Sequence, residues 1–222
     1  MSAIKLVTSK LSPFGHRVEM SLIEKKISYE KVDVDLADKP DWFIQDSPLG
    51  KAPIIYGNGR PLFESIAICE YLEESFLDNP LHSKDVYTRA WHRGWMEFSN
   101  GLISSIFGIA FASDQKTLDE KIDEARKKIA NLEKYLISEP YFGGQQFSLV
   151  DVCFATAFTP AMVIRANYGV EIFDEGSRTD KYIQKLMERE SFDKVIPSDY
   201  DTVLKDFLER KNSHLLKLGG NS

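Results

Sequence analysis

Ser12-Pro13-Phe14-Gly15-His16-Arg17-Val18 is the stretch from which the rest of the chain is read. It follows the apolar run of residues 4–7 and opens a pattern in which Val18, Leu22 and Ile23 recur at helical spacing. A small hydroxyl residue, a proline and an aromatic at a strand-to-helix turn make a polar site. Ser12 is suited to cap the helix, Pro13 fits its first turn, and the unpaired N–H groups there favour an anion. Ser12 is also placed to donate a hydrogen bond to a thiolate, should one sit at that end. Taken alone, the same stretch reads as ordinary helix capping, so the neighbouring sequence has to decide.

The 222 residues suffice for one large domain or two small ones. With 43% hydrophobic and 28% charged residues, the composition is that of an ordinary globular protein. A net charge of -6 argues against a general nucleic-acid binder. Cys69 and Cys153 both stand in apolar surroundings and read as buried, reduced core residues. The four histidines are scattered and no zinc-type spacing is present, so no metal is expected. No leader-like segment precedes the first strand and no run of ~18 apolar residues stands out, which makes a cytoplasmic protein without membrane contact the expectation.

Outward from Ser12, the pattern predicts a strand over residues 4–7, a helix to about Lys26 and a second strand between Tyr29 and Asp35. Two strands joined through a helix form a parallel βαβ unit. Lys39-Pro40-Asp41-Trp42-Phe43 predicts a short helix opened by proline. Pro53-Ile54-Ile55-Tyr56, a Gly57-Asn58-Gly59 turn and Pro61-Leu62-Phe63 predict a hairpin. Glu64-Ser65 then leads into a helix carrying Ile68 and Leu72. The order β-α-β-α-β-β-α is the thioredoxin-like layout, assigned to residues 1–80.

Four of these segments, in register, carry a specific resemblance: S-P-F at residues 12–14, K-P-D-W-F at 39–43, S-P-L-G-K-A-P at 47–53 and E-S-I-A-I at 64–68. The chain resembles the cytosolic glutathione transferases, most of all the omega class. The resemblance implies an α/β thioredoxin-like domain followed by an all-α domain, with glutathione as co-substrate. Glutathione brings two carboxylates, an ammonium and a thiol, and the family pattern distributes their partners. It implies Ser65 for the γ-glutamyl carboxylate at a helix start, Glu64 for the ammonium and Lys39 for the glycyl carboxylate. It also implies a cis Pro53 that leaves the Ala52 main chain to pair with the cysteinyl unit, Lys51 close by, and Phe14 either beside the thiol or packed on the second domain. His16 is expected to face solvent or to pack, and Arg17 to form a structural ion pair.

Omega-class relatives carry cysteine where this chain has Ser12. Serine without a paired base is a poor nucleophile, whereas its hydroxyl can stabilise a sulfur anion. Conjugation of glutathione to small hydrophobic electrophiles is therefore the expected activity, with Ser12 catalytic and with hydroperoxide reduction as a further possibility. Two alternatives are a non-catalytic interaction protein like the stringent-starvation proteins and an omega-like thiol transferase or dehydroascorbate reductase.

Asn79-Pro80-Leu81-His82 ends the first unit, a short linker runs to about Asp85, and residues 86–222 read as a helical domain. Trp91, Trp95, Phe98, Leu102, Ile106 and Ile109 lie along one long helix, and a second is expected over residues 117–136. Ser148-Leu149-Val150-Asp151 predicts a capping box, with Phe147 as a staple and Pro160 farther along as a bend. Gly108, Phe111, Ala112 and Phe158 are candidates for the electrophile pocket, and residues 200–208 for a helix over the cleft. The resemblance further implies a homodimer.

Overall fold

The computed structural model describes residues 4–136 and 140–219. The first strand, β1 (Ile4–Thr8), is followed by α1 (Pro13–Glu24), β2 (Tyr29–Asp33), α2 (Asp41–Asp46), β3 (Ile54–Tyr56), β4 (Pro61–Phe63) and α3 (Ser65–Ser75). The sheet order is β2-β1-β3-β4, with β1 parallel to β2, and β3 antiparallel to both β1 and β4. The expected thioredoxin-like order is present throughout. The second strand ends at Asp33 rather than Asp35, because beyond Val34 the chain leaves the ladder in a turn in which Asp35 accepts the Ala37 N–H.

One face of this sheet, with α1 and α3, belongs to a large core that runs into the helical part of the molecule. A smaller core of Val7, Val34, Phe43, Ala52 and Ile54 lies apart from it. Phe43 is the one buried residue of α2, so this single aromatic seats α2 and, through Ala52, the loop that enters β3. Gly15 is required where α1 crosses β1: a Cβ there would lie 1.7 Å from Thr8 Oγ1.

The helical part comprises α4 (Val86–Ala110), α5 (Gln115–Glu133), α6 (Leu149–Tyr168), α7 (Arg178–Met187), α8 (Glu190–Val195) and α9 (Tyr200–Arg210), closed by a 3-10 turn at His214–Lys217. The capping box of α6 is formed. The buried Asp151 carboxylate accepts from Ser148 N and Oγ, Phe142 N and Tyr182 Oη at 2.7–2.8 Å. Burial pushes its pKa up against those donors. Contrary to the expectation of no membrane-length apolar segment, α6 is long and apolar enough to cross a bilayer. It is instead the central core helix, packed against α1, α4 and α7.

The two parts are joined by polar as well as apolar contacts. The Lys25–Glu73 pair is buried at 2.7 Å, and the second Glu73 oxygen accepts the Leu81 and His82 N–H groups at the start of the crossing segment. Glu24 on α1 is paired with Arg189 at the entry to α8. The Arg189 guanidinium also lies 4.4 Å from the centre of the Phe147 ring, so Phe147 works as a platform for this cation.

Candidate functional site

Ser12 is the N-cap of α1: its Oγ accepts the Gly15 N–H at 3.1 Å, and Pro13 opens the helix. Accepting that bond leaves the Ser12 O–H free to donate outward, toward whatever lies before the helix start. The residue is 8% exposed, which limits competition from water for that proton.

Beside this turn is a small cavity of about 110 Å³, lined by Phe14, Ser47, Leu49, Lys51, Ala52, Pro53, Phe63, Glu64 and Ser65. Six residues predicted from sequence thus converge on one concavity. Lys39 does not line it; its Nζ lies near Gly50, in the loop between Leu49 and Lys51, where an added Cβ would stand 3.4 Å away. The Ala52–Pro53 bond is cis, as expected.

Three further features of the cavity escape the sequence. Ser47 fastens the lining loop at both groups of one residue, accepting from Lys51 N at 2.9 Å and donating to Lys51 O at 2.8 Å. Leu49 and Phe63 supply exposed apolar wall. Glu64 adopts φ +69° and ψ 112°, an unfavourable backbone state for a residue with a Cβ. That conformation puts Glu64 immediately ahead of the first turn of α3, where unpaired N–H groups favour an anion. Strained non-glycine residues concentrate at ligand sites, and this one sits in the cavity wall.

Behind Ser65 lies Arg17, whose expected ion pair is absent. The guanidinium is fully buried and donates to Ser65 Oγ at 3.0 Å, Ser99 Oγ at 3.0 Å and Asn100 Oδ1 at 2.9 Å. Among the described residues no carboxylate is within salt-bridge distance of it. Phe14 stacks over the same cation at 5.4 Å. An uncompensated buried cation one hydroxyl away from the cavity makes that end of the cavity attractive to an anion. His16 is likewise buried, beside the Tyr200 ring at 6.0 Å, and burial lowers its pKa to about 4. It is a packing residue in its neutral form, and the solvent-facing alternative is excluded.

A larger cavity of about 520 Å³ opens on the other side of the Ser12 turn, between residues 9–11, residues 33–37 and one face of α9 with the residue after it. Leu11, immediately before Ser12, lines this cavity, and Phe14, two residues after it, lines the small one. The electrophile-pocket candidates are only partly near it. Ala112 and Phe158 are buried in the core at 0% and 1% exposure, and Phe158 packs on Phe154 and Phe173. Gly108 points toward Lys121 of α5, where a Cβ would come within 2.8 Å. Phe111 is half-exposed and packs on Phe207, which does line the large cavity.

A thioredoxin-like domain with a cis-proline loop, a serine-capped first helix and a glutamate-serine helix start, followed by a helical domain, defines the two-domain glutathione transferase fold. Residues 6–80 match the model of the glutathione S-transferase N-terminal domain, and residues 97–190 that of the C-terminal domain. Glutathione S-transferase U6 of Arabidopsis thaliana is 31% identical over 199 residues, covering 87% of this chain and 89% of its own length. A probable glutathione S-transferase of Nicotiana tabacum is 30% identical over 198 residues, covering 86% and 88%. The chain belongs to the glutathione S-transferase family. Its fold is that of the Tau class enzyme from mango, with a TM-score of 0.83 at 24% identity over 95% of this chain and 99% of that one. It is also similar to glutathione transferase Omega 3C from Trametes versicolor, with a TM-score of 0.77 at 27% identity over 88% and 89%.

Proposed function

We propose that the protein binds glutathione in the small cavity and transfers its thiolate to hydrophobic electrophiles. The observation that carries this reading is the convergence of Lys51, Ala52, Glu64 and Ser65 on one cavity beside the Ser12 helix start. The γ-glutamyl carboxylate takes the Ser65 hydroxyl and the N–H groups of α3, with the Arg17 charge behind them. The ammonium takes Glu64, the cysteinyl main chain pairs with Ala52, and the glycyl carboxylate lies toward Lys39 and Lys51. The thiol then falls near Ser12, whose O–H stabilises the sulfur anion together with the N-terminus of α1.

A free thiol has a pKa of roughly 8.5, and each unit by which it falls represents ~1.4 kcal/mol of preferential stabilisation of the thiolate. A fall of about two units, to roughly 6.5, makes the thiolate the main species at pH 7, and the C–S bond forms as the electrophile's leaving group departs. Serine at position 12 favours this direct attack over transfer through a protein mixed disulfide, so the chemistry follows the serine-type enzymes rather than an omega-type thiol transferase. The same thiolate is suited to attack organic hydroperoxides.

Calorimetric titration with glutathione, combined with ultraviolet absorbance of the bound thiolate across pH, tests the reading. Binding with a lowered thiol pKa is expected. Absence of binding would leave the fold without this function and favour an interaction protein. We further propose a homodimer in which exposed Tyr87 and Trp91 of α4 and Tyr135 beyond α5 meet the first domain of a second copy. A monomer mass at all concentrations in sedimentation would refute it.

A further inference from the structure

Given that reading of the small cavity, we infer that the large cavity selects second substrates with an apolar body and one anionic head, such as a carboxylate-bearing electrophile. Val203, Phe207, Arg210 and Lys211 follow one another at intervals of four, three and one, so α9 and the residue after it present one face to the cavity. That face is apolar at its start and doubly cationic at its end. Among the described residues neither Arg210 nor Lys211 has a carboxylate within salt-bridge distance, and Lys211 Nζ lies 6.0 Å from the Phe111 and Phe207 rings.

The opposite wall carries both signs of charge, in Lys10, Asp33 and Asp35. Asp35 accepts the Ala37 N–H at 2.8 Å, and Asp33 lies in the field of Lys10, which is itself paired with Asp199. The cavity is thus polarised, with free cations at the α9 end and acids along residues 33–35. A ligand with one anionic group is oriented by this field: its head is drawn to Arg210 and Lys211, and its apolar body lies along Leu11, Val203 and Phe207 toward Ser12. A neutral electrophile of the same shape gains the apolar contacts without the orientation. A dianion with its charges at opposite ends meets the acidic wall and is disfavoured.

A matched pair of substrates tests this: a chloronitrobenzoate and its methyl ester, in each of which a C–S bond replaces C–Cl and chloride leaves. The expected result is a kcat/KM ratio, carboxylate over ester, that falls about five-fold in the Arg210→Gln/Lys211→Gln variant. Wild-type protein should lose the same preference between low and high salt, a control that needs no variant. A ratio unmoved by both changes overturns the inference. Calorimetry with decanoate, which is not an electrophile, separates it from the conjugation reading. Decanoate binding that weakens about five-fold in the variant supports the anion site even if neither chloride is turned over, and binding equal in the two proteins, or none in either, overturns it.

Discussion

Replacing Arg17 by methionine should weaken glutathione binding far more than it weakens the fold. Methionine keeps much of the side-chain length and removes the charge. A carboxylate held by the Ser65 hydroxyl at ~2.7 Å, with that hydroxyl 3.0 Å from Arg17 Nη1, stands roughly 5–6 Å from the cation. At an effective dielectric of about 20 this separation gives an attraction of ~3 kcal/mol, or about 100-fold in Kd. Stability is affected less because two changes oppose each other. Three hydrogen bonds from a charged donor are lost, while a fully buried cation without a carboxylate partner no longer has to be desolvated. Calorimetry with glutathione and with cysteinylglycine, which lacks the γ-glutamyl unit, isolates the effect. Glutathione should bind about 30- to 100-fold more weakly to Arg17→Met, with cysteinylglycine unchanged, and Arg17→Lys should recover part of the loss. A folded Arg17→Met protein that binds glutathione within about three-fold of wild type would refute the reasoning, as would equal losses for both ligands.

Three further outcomes are expected. Ser12→Ala should keep glutathione binding and slow conjugation by about 10²-fold, with the bound thiolate forming at higher pH, while Ser12→Cys should gain thiol transfer measurable on a glutathione mixed disulfide. Gly15→Ala should lower the urea midpoint by the equivalent of more than ~2 kcal/mol, since the added methyl meets Thr8 at 1.7 Å from Oγ1 and 2.9 Å from Cβ. Acidification should destabilise the protein through His16, whose pKa falls from 6.5 to about 4 on burial. Between those values the unfolded chain holds the extra proton, so this contribution is full above pH 6.5 and ~3 kcal/mol is lost by pH 4. His92 shifts in the same direction, whereas Glu70, held at about 2 by Arg93 and His82 against its own desolvation, keeps its contribution above pH 4.5 and loses it only as the pH falls from there toward 2. Urea midpoints from pH 7 to 4 should decline less in His16→Leu, and an unchanged acid limb would remove His16 from the explanation.

Much of this site is visible in the chain because its geometry is set locally. Ser12, Pro13 and Gly15 fall within one turn, the β3–β4 hairpin is read from its own turn residues, and the α6 capping box spans three positions. Arg17 has no such local mark. Its partners lie 48, 82 and 83 positions away, and a charged residue early in a helix ordinarily reaches water or an acid. Helical spacing likewise assigns Ala112 and Phe158 equally well to a core or to a cleft, and only packing against Phe154 and Phe173 places Phe158 in the former. The strain at Glu64 leaves no trace in residue type, since nothing in the sequence reports a positive φ at a glutamate. The division follows from the chemistry. Capping hydroxyls, the main chain of Ala52 and turn residues act through their immediate neighbours, so a motif conveys them. The charges proposed to select a ligand act across the space between elements: Arg17 joins α1 to α3 and α4, and Arg210 and Lys211 face residues 33–37 across the large cavity. On the readings proposed above, specificity resides where a sequence reading has least reach, in isolated cations whose meaning depends on which distant carboxylates folding fails to bring beside them.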